Sequence, residues 1–179
     1  HVIGSIGATV PGVETQIRDI STGEALPAGK EGEICIRGNN IMKGYLDNPK
    51  ATYDTFWHLD DKKKRHEDQW FRSGDVGYMD ERGYFYIVDR LKDMIITGGE
   101  NVYSTEVEEA IYKIPEVQEC AVIGVPDREW GEKVAAFMIL KPGKTLTGDD
   151  MKAILKKSLA PFKVPKIYEF VKDFPRTGK

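Results

Sequence analysis

The sequence predicts an α+β chain in two parts: a partial, barrel-like array of short strands over residues 1–89, then a small α+β domain over 90–179 in which helices cover a short sheet. Three observations carry this. Short apolar runs punctuated by Gly, Pro and Asn fill the first half, the pattern of strands joined by tight turns. Apolar residues at helical spacing appear twice in the second half, with strand-like runs between and after them. With 179 residues, 40% of them apolar, the chain is long enough to bury cores.

In the first part, Val13 to Ile20 alternates in part and Glu33-Ile34-Cys35-Ile36-Arg37 alternates clearly, so both read as strands. A helix is expected from Pro49 to Phe56, because Asn48 can cap it and proline suits the first helical position. Residues 60–68 form a charge run of mixed sign, which reads as a solvated loop. Trp70 to Tyr78 and Gly83 to Val88 read as a hairpin, since Asp80-Glu81-Arg82-Gly83 offers a type I turn ending on a left-handed glycine.

In the second part, Thr105 and Glu108 have capping-box spacing. Val107, Ala110, Ile111 and Ile114 then follow on one helical face until Pro115. A second helix is expected near Thr147, carrying Met151, Ile154, Leu155 and Leu159, with Pro161 as its stop. Cys120 to Val125, Val134 to Leu140 and Ile167 to Val171 are the expected strands. The seam between the parts falls at about residues 89 to 92.

A net charge of −3 argues against nucleic acid or an anionic membrane surface as the main partner, because both require a basic excess. Cys35 and Cys120 stand far apart in apolar runs with no CxxC spacing, and three histidines are too few for a convincing metal cluster. Both read as buried thiols of a reducing, cytoplasmic setting. No run approaches the ~20 apolar residues of a membrane span, and no signal peptide opens the chain. The abrupt start at His1 and stop at Lys179 lead us to expect cuts at both ends.

Few residues point to chemistry individually. Asp75, within Ser73-Gly74-Asp75-Val76-Gly77, is placed to accept hydrogen bonds from the paired hydroxyls of a ribose, and Arg90 offers a rigid fork of donors to the same sugar or to a phosphate. A plain turn, and an ion pair of Arg90 with Asp89 or Asp93, remain open beside these readings. Gly98 and Gly99 match neither a GxGxxG nor a Walker loop. They admit a close-approaching ligand or serve a turn with positive φ. Lys179, at the end of a Pro/Gly-flanked segment, is a cation able to meet charge developing on a phosphate or carboxylate.

Read in order, "GEICIRGNNIMKGYLDNP", "WFRSGDVGYMDERGYFYIVDRLKDMIITGGENVYSTEVEEAI", "VQECAVIGVPDREWGEKVAAFMIL" and "FPRTGK" closely resemble the C-terminal part of the adenylate-forming superfamily, and within it the acyl-CoA synthetases. The resemblance covers nearly the whole chain. One departure is Ser104, where many relatives carry proline.

The resemblance implies a fragment of an ATP-dependent enzyme that converts a carboxylic acid, expected to be a fatty acid, to acyl-AMP and pyrophosphate. Coenzyme A then displaces AMP. Residues 1–89 would be the last subdomain of the N-terminal AMP-binding domain and 90–179 the mobile C-terminal domain. Asp75 would bind the ribose hydroxyls, Arg90 would support them, Lys179 would be the catalytic lysine of adenylation, and Lys92 would be the hinge. Gly98 and Gly99 would line the path of the pantetheine arm. The phosphate loop, the Mg²⁺-holding glutamate and the acyl pocket would lie upstream, so no metal ligand is expected here and the isolated chain should be inactive. A luciferase-like or carrier-protein-loading enzyme, or a non-catalytic module retaining the fold, are the rival readings.

Overall fold

The computed structural model describes residues 2–57 and 69–176; the charge run at 60–68 and Lys179 lie outside the described residues. The chain forms two compact units, His1–Lys92 and Asp93–Lys179.

Among the described residues, the first unit forms a six-stranded antiparallel sheet. Its strands are β1 (Gly7–Ala8), β2 (Val13–Arg18), β3 (Gly32–Gly38), β4 (Phe56–Trp57), β5 (Trp70–Met79) and β6 (Tyr84–Arg90), with the short helix α1 (Pro49–Asp54) before β4. The spatial order is β1-β6-β5-β3-β2, with β4 also paired to β5. It is an open path, the partial barrel that the short-strand pattern predicts. Helix α1 starts as its sequence dictates, with proline in the first turn and the Asn48 side chain accepting from the Ala51 N–H. It stops two residues short of the expected Phe56, which is recruited into β4 and buried. The β5–β6 turn closes on Gly83, whose φ of 82° is left-handed, and the Asp80 carboxylate accepts from the Arg82 and Tyr84 N–H groups.

One face of this sheet packs Ile17, Ile34 and Phe85 with Leu26 and Met79. Alternation in β3 predicts a strand with one covered face, yet Glu33, Ile34 and Cys35 are all buried. The reason is a second layer. Arg18 and Arg37 lie 4.5 Å and 4.6 Å from the Trp70 ring centre, and Arg72 lies 4.4 Å from that of Trp57.

The second unit contains β7 (Ile95–Thr97), β8 (Glu100–Val102), α2 (Ser104–Tyr112), β9 (Val117–Asp127), β10 (Gly131–Leu140), α3 (Gly148–Leu155) and β11 (Ile167–Phe170). Strand β9 runs antiparallel along one edge of β10. The other edge is shared by β7, at Gly131, and by β11, which runs parallel to Ala135–Met138. Both helices bury the stripe their spacing requires, Val107, Ala110 and Ile111 from the first and Met151 and Leu155 from the second, and the turns that follow them, where the helices end earlier than expected, add Ile114 and Leu159, all against Val122, Val134, Ala136 and Met138 of the sheet. Ile154, expected on the buried face of α3, is 37% exposed because it lies on the margin of that stripe.

The helix start differs from the one expected at Thr105. The cap of α2 lies two residues earlier, at Tyr103, which makes no side-chain cap, and the Glu108 carboxylate accepts the Val122 N–H of β9 at 2.8 Å. One oxygen of the glutamate that local spacing assigned to the helix start serves a strand in the sheet. A capping box forms at α3, where Thr147 and Asp150 satisfy one another's backbone N–H groups, an arrangement whose capping residue contributes about 1 kcal/mol.

Candidate functional site

Asp75 sits between two irregularities of the first sheet. Opposite β3, the pairing jumps from Cys35↔Arg72 to Glu33↔Val76, so Ser73-Gly74-Asp75 bulges out of the ladder. Gly74 makes the bend with a φ of 75° and has open space where a side chain would stand. Opposite β6, the pairing shifts by one residue between Val76 and Gly77, which brings Arg90 directly across from Asp75. Their side chains meet, Arg90 Nε to Asp75 Oδ1 at 3.3 Å, with the arginine 66% exposed.

The structure therefore brings Asp75 and Arg90 together, and corrects the ion-pair alternative. Arg90 pairs with Asp75 rather than with Asp89 or Asp93. Asp89 is buried, and its Oδ1 accepts the backbone N–H of Arg90 at 2.7 Å. Beside the pair, Ser73, Gly74, Arg90, Leu91 and Lys92 line a shallow cavity of about 390 Å³. A partly exposed carboxylate with a guanidinium across from it, at the rim of an open cavity, suits a ligand presenting adjacent hydroxyls, because the acid can accept from both while the cation stays free to reach phosphate.

Two supports were not singled out from the sequence. The Glu33 carboxylate, fully buried, accepts from Arg72 Nε at 2.9 Å and from the Gly74 N–H at 3.2 Å. On the opposite side, the Gly74 carbonyl accepts the Leu91 N–H at 2.8 Å. The available signal for Glu33 was a carboxylate directly before the apolar run Ile34-Cys35-Ile36, on a strand too central to leave it solvated.

In the second unit, Gly98 and Gly99 are the whole turn between β7 and β8, closing the Thr97↔Glu100 pair. Their φ values of 59° and 85° follow the pattern of a type I′ turn. The Trp130 ring covers Gly98, and the Trp130 carbonyl accepts the Gly98 N–H at 2.9 Å, whereas nothing lies within 4 Å of a Cβ placed on Gly99. One glycine is thus packed against protein and the other faces open space. Lys92 is exposed and is the last residue of the first unit. Among the described residues no cluster of His, Cys, Asp or Glu is able to hold a metal ion. Cys35 and Cys120 are buried, and burial pushes their thiols up to about 12 and about 11, values that keep them protonated and unreactive. No helix among the described residues is long and apolar enough to cross a membrane.

The family model of AMP-binding enzymes matches residues 1–46, and the model of the AMP-binding enzyme C-terminal domain matches residues 106–179. The chain belongs to the AMP-binding enzyme family. Feruloyl-CoA synthase from Amycolatopsis sp is 47% identical over 99% of this chain and 35% of its own length. The long-chain-fatty-acid–CoA ligase of Bacillus subtilis (strain 168) is 44% identical over 98% of the chain and 30% of its own. The crystal structure of ATP-bound MatB from Rhodopseudomonas palustris superposes with a TM-score of 0.84 at 41% identity, over 97% of the chain and 33% of that protein. The chain thus spans about a third of the length of the relatives it matches.

Proposed function

We propose that this chain forms the nucleotide-supporting strand pair and the mobile domain of an AMP-forming acid–thiol ligase, which activates a carboxylic acid as acyl-AMP and transfers the acyl group to coenzyme A. The observation that carries the reading is the Asp75–Arg90 pair beside an open cavity. In the first half-reaction the Asp75 carboxylate accepts from the ribose hydroxyls of ATP, and Arg90 steadies the same sugar. Lys179 then meets the charge that develops as the acid attacks the α-phosphate. Mg²⁺ supplies further charge neutralisation on the phosphates; its ligands are expected outside this chain.

In the second half-reaction the Gly98-Gly99 turn faces the active site, where the open side of Gly99 leaves room for a pantetheine arm. Rotation about Lys92 exchanges the two arrangements, which is consistent with an exposed residue at the end of a compact unit. We assign the acid to the fatty acids and the enzyme to the cytoplasm. The named relatives include both a long-chain-fatty-acid–CoA ligase and a feruloyl-CoA synthase, so the acid is the part of the reading that product analysis tests most directly.

The test has two arms. The 179-residue chain should release no pyrophosphate from ATP and a fatty acid, because positioning of both reactants requires more than it contains. It should still bind AMP weakly, no better than roughly millimolar, with amide shifts centred on Gly74, Asp75 and Arg90. Shifts scattered elsewhere would remove the ribose role of Asp75, and turnover by the isolated chain would remove the division of labour proposed here.

A further inference from the structure

The most unusual group in the first unit is not at the site but beneath it: Glu33 is 1% exposed, and a carboxylate held so far from water needs both charge and hydrogen-bond partners to persist. Its partners are specific. One oxygen takes Arg72 Nε and the other takes the Gly74 N–H, the backbone group that the bulge has removed from the strand ladder. Arg72 is in turn fixed over the Trp57 ring. Gly74 is therefore pinned from two directions, its N–H by Glu33 and its carbonyl by the Leu91 N–H, one residue beyond Arg90.

We infer that Glu33 is a positioning residue for nucleotide binding: through Gly74 it holds the bulge that presents Asp75 to the ribose and keeps Arg90 opposite it. This rests on the ribose reading of Asp75 given above. A carboxylate suits the task because each oxygen has a separate job, and a bidentate acceptor in a dry site fixes backbone more rigidly than a water-bridged one. Leaving the Gly74 N–H unsatisfied loosens the turn locally, without disturbing the β2–β3 ladder, which Glu33 joins through its backbone.

The experiment uses the full 179-residue chain with Glu33→Ala, Glu33→Gln and Asp75→Ala. Amide exchange is read at Gly74 and Leu91 against the β2–β3 ladder, and AMP is titrated beside 2′,3′-dideoxy-AMP. Glu33→Ala should speed exchange at Gly74 and Leu91 by about 10-fold or more relative to the ladder, as expected for a buried donor left without its acceptor. Glu33→Gln, whose single amide oxygen must serve the two donors that the carboxylate serves separately, should restore protection only in part. In the titration, Asp75→Ala should abolish the preference for AMP over the dideoxy compound, Glu33→Ala should reduce it several-fold, and Glu33→Gln should fall between Glu33→Ala and the unsubstituted chain.

A uniform rise in exchange across the sheet would reduce Glu33 to general stability and overturn the inference. So would a Glu33→Ala chain that keeps the full hydroxyl preference which Asp75→Ala loses. If the unsubstituted chain shows no hydroxyl preference, the ribose reading fails and the functional half of this inference with it, while the exchange arm still decides whether Glu33 holds the turn. Should Glu33→Ala not fold, Glu33→Asp, one methylene short of Gly74, replaces it with the same expected direction.

Discussion

Alanine placed separately at Gly98 and Gly99 distinguishes two physical reasons for glycine within one turn. At Gly99 the only penalty is conformational: φ is 85°, and nothing stands within 4 Å of the new Cβ. A left-handed alanine costs about 1–2 kcal/mol, partly offset by about 0.4–1 kcal/mol from the lower entropy of the unfolded chain. The net loss should be about 1 kcal/mol. At Gly98 the same term applies, but the Cβ would also lie 2.7 Å from Trp130 Cε3 and 3.0 Å from Cζ3. The ring must move, and being 49% exposed it can swing outward. Losing its remaining contact, up to about 100 Å² at roughly 25 cal/mol per Å², costs at most a further ~2.5 kcal/mol. Partial displacement brings Gly98→Ala to about 2–3 kcal/mol.

Urea unfolding followed at resolved amides of the second unit measures both without mixing in the first unit. Equal losses at the two positions, or a larger one at Gly99, would refute this account of the turn. The comparison also bears on function. In an acid–CoA ligase carrying this chain, Gly99→Ala puts a methyl group into the space assigned to the pantetheine arm at small cost to folding. It should therefore slow thioester formation from supplied acyl-AMP more than it slows adenylation.

Three further outcomes are expected. Because burial raises Cys35 from near 9 to about 12, its protonated form contributes stability that is complete below pH 9 and lost as pH rises toward 12; Cys35→Ala should flatten the alkaline decline of the first unit in pH-dependent denaturation. In the complete ligase, Lys179→Ala should reduce acyl-AMP formation by roughly 10²-fold or more, as for removal of one preorganised charge-stabilising donor, yet leave thiolysis of supplied acyl-AMP nearly intact; equal damage to both would make the lysine structural. Lys92→Pro should spare one half-reaction and impair the other by fixing φ near −65°, while Lys92→Ala should do much less; a folded proline variant with both rates normal would remove the hinge.

Local signals in the sequence located most elements. The Asn48-Pro49 helix start, the Asp80–Gly83 turn and the apolar stripes of α2 and α3 each depend on residues near one another in the chain, and each formed. What spacing could not reveal depended on partners far away. Glu108 looked like half of a capping box, yet one of its oxygens serves Val122 of β9, fourteen residues on. Glu33 looked like the polar side of an alternating strand until Arg72 and Gly74 closed over it, 39 and 41 residues on.

The site itself turns on a single register shift. From the turn, β5 and β6 pair as Met79↔Phe85, Tyr78↔Tyr86 and Gly77↔Ile87. Continued without a break, that register would set Asp75 opposite Asp89, a like-charge pair that strands disfavour, and would carry Arg90 past to Gly74. One extra residue on β6 before Val76↔Asp89 changes both outcomes: Arg90 arrives opposite Asp75, and Asp89 turns inward to accept the Arg90 N–H. Because strand side chains alternate faces, a shift of one residue reassigns every group beyond it. Gly77 marks the place, since any Cβ there would run into the Tyr86 carbonyl. The residue types that make the Asp75–Arg90 pair are thus visible in "SGDVG" and "IVDRLK", but their meeting is a property of the bulge, and a substitution that straightens β6 should dismantle the pair without touching either residue.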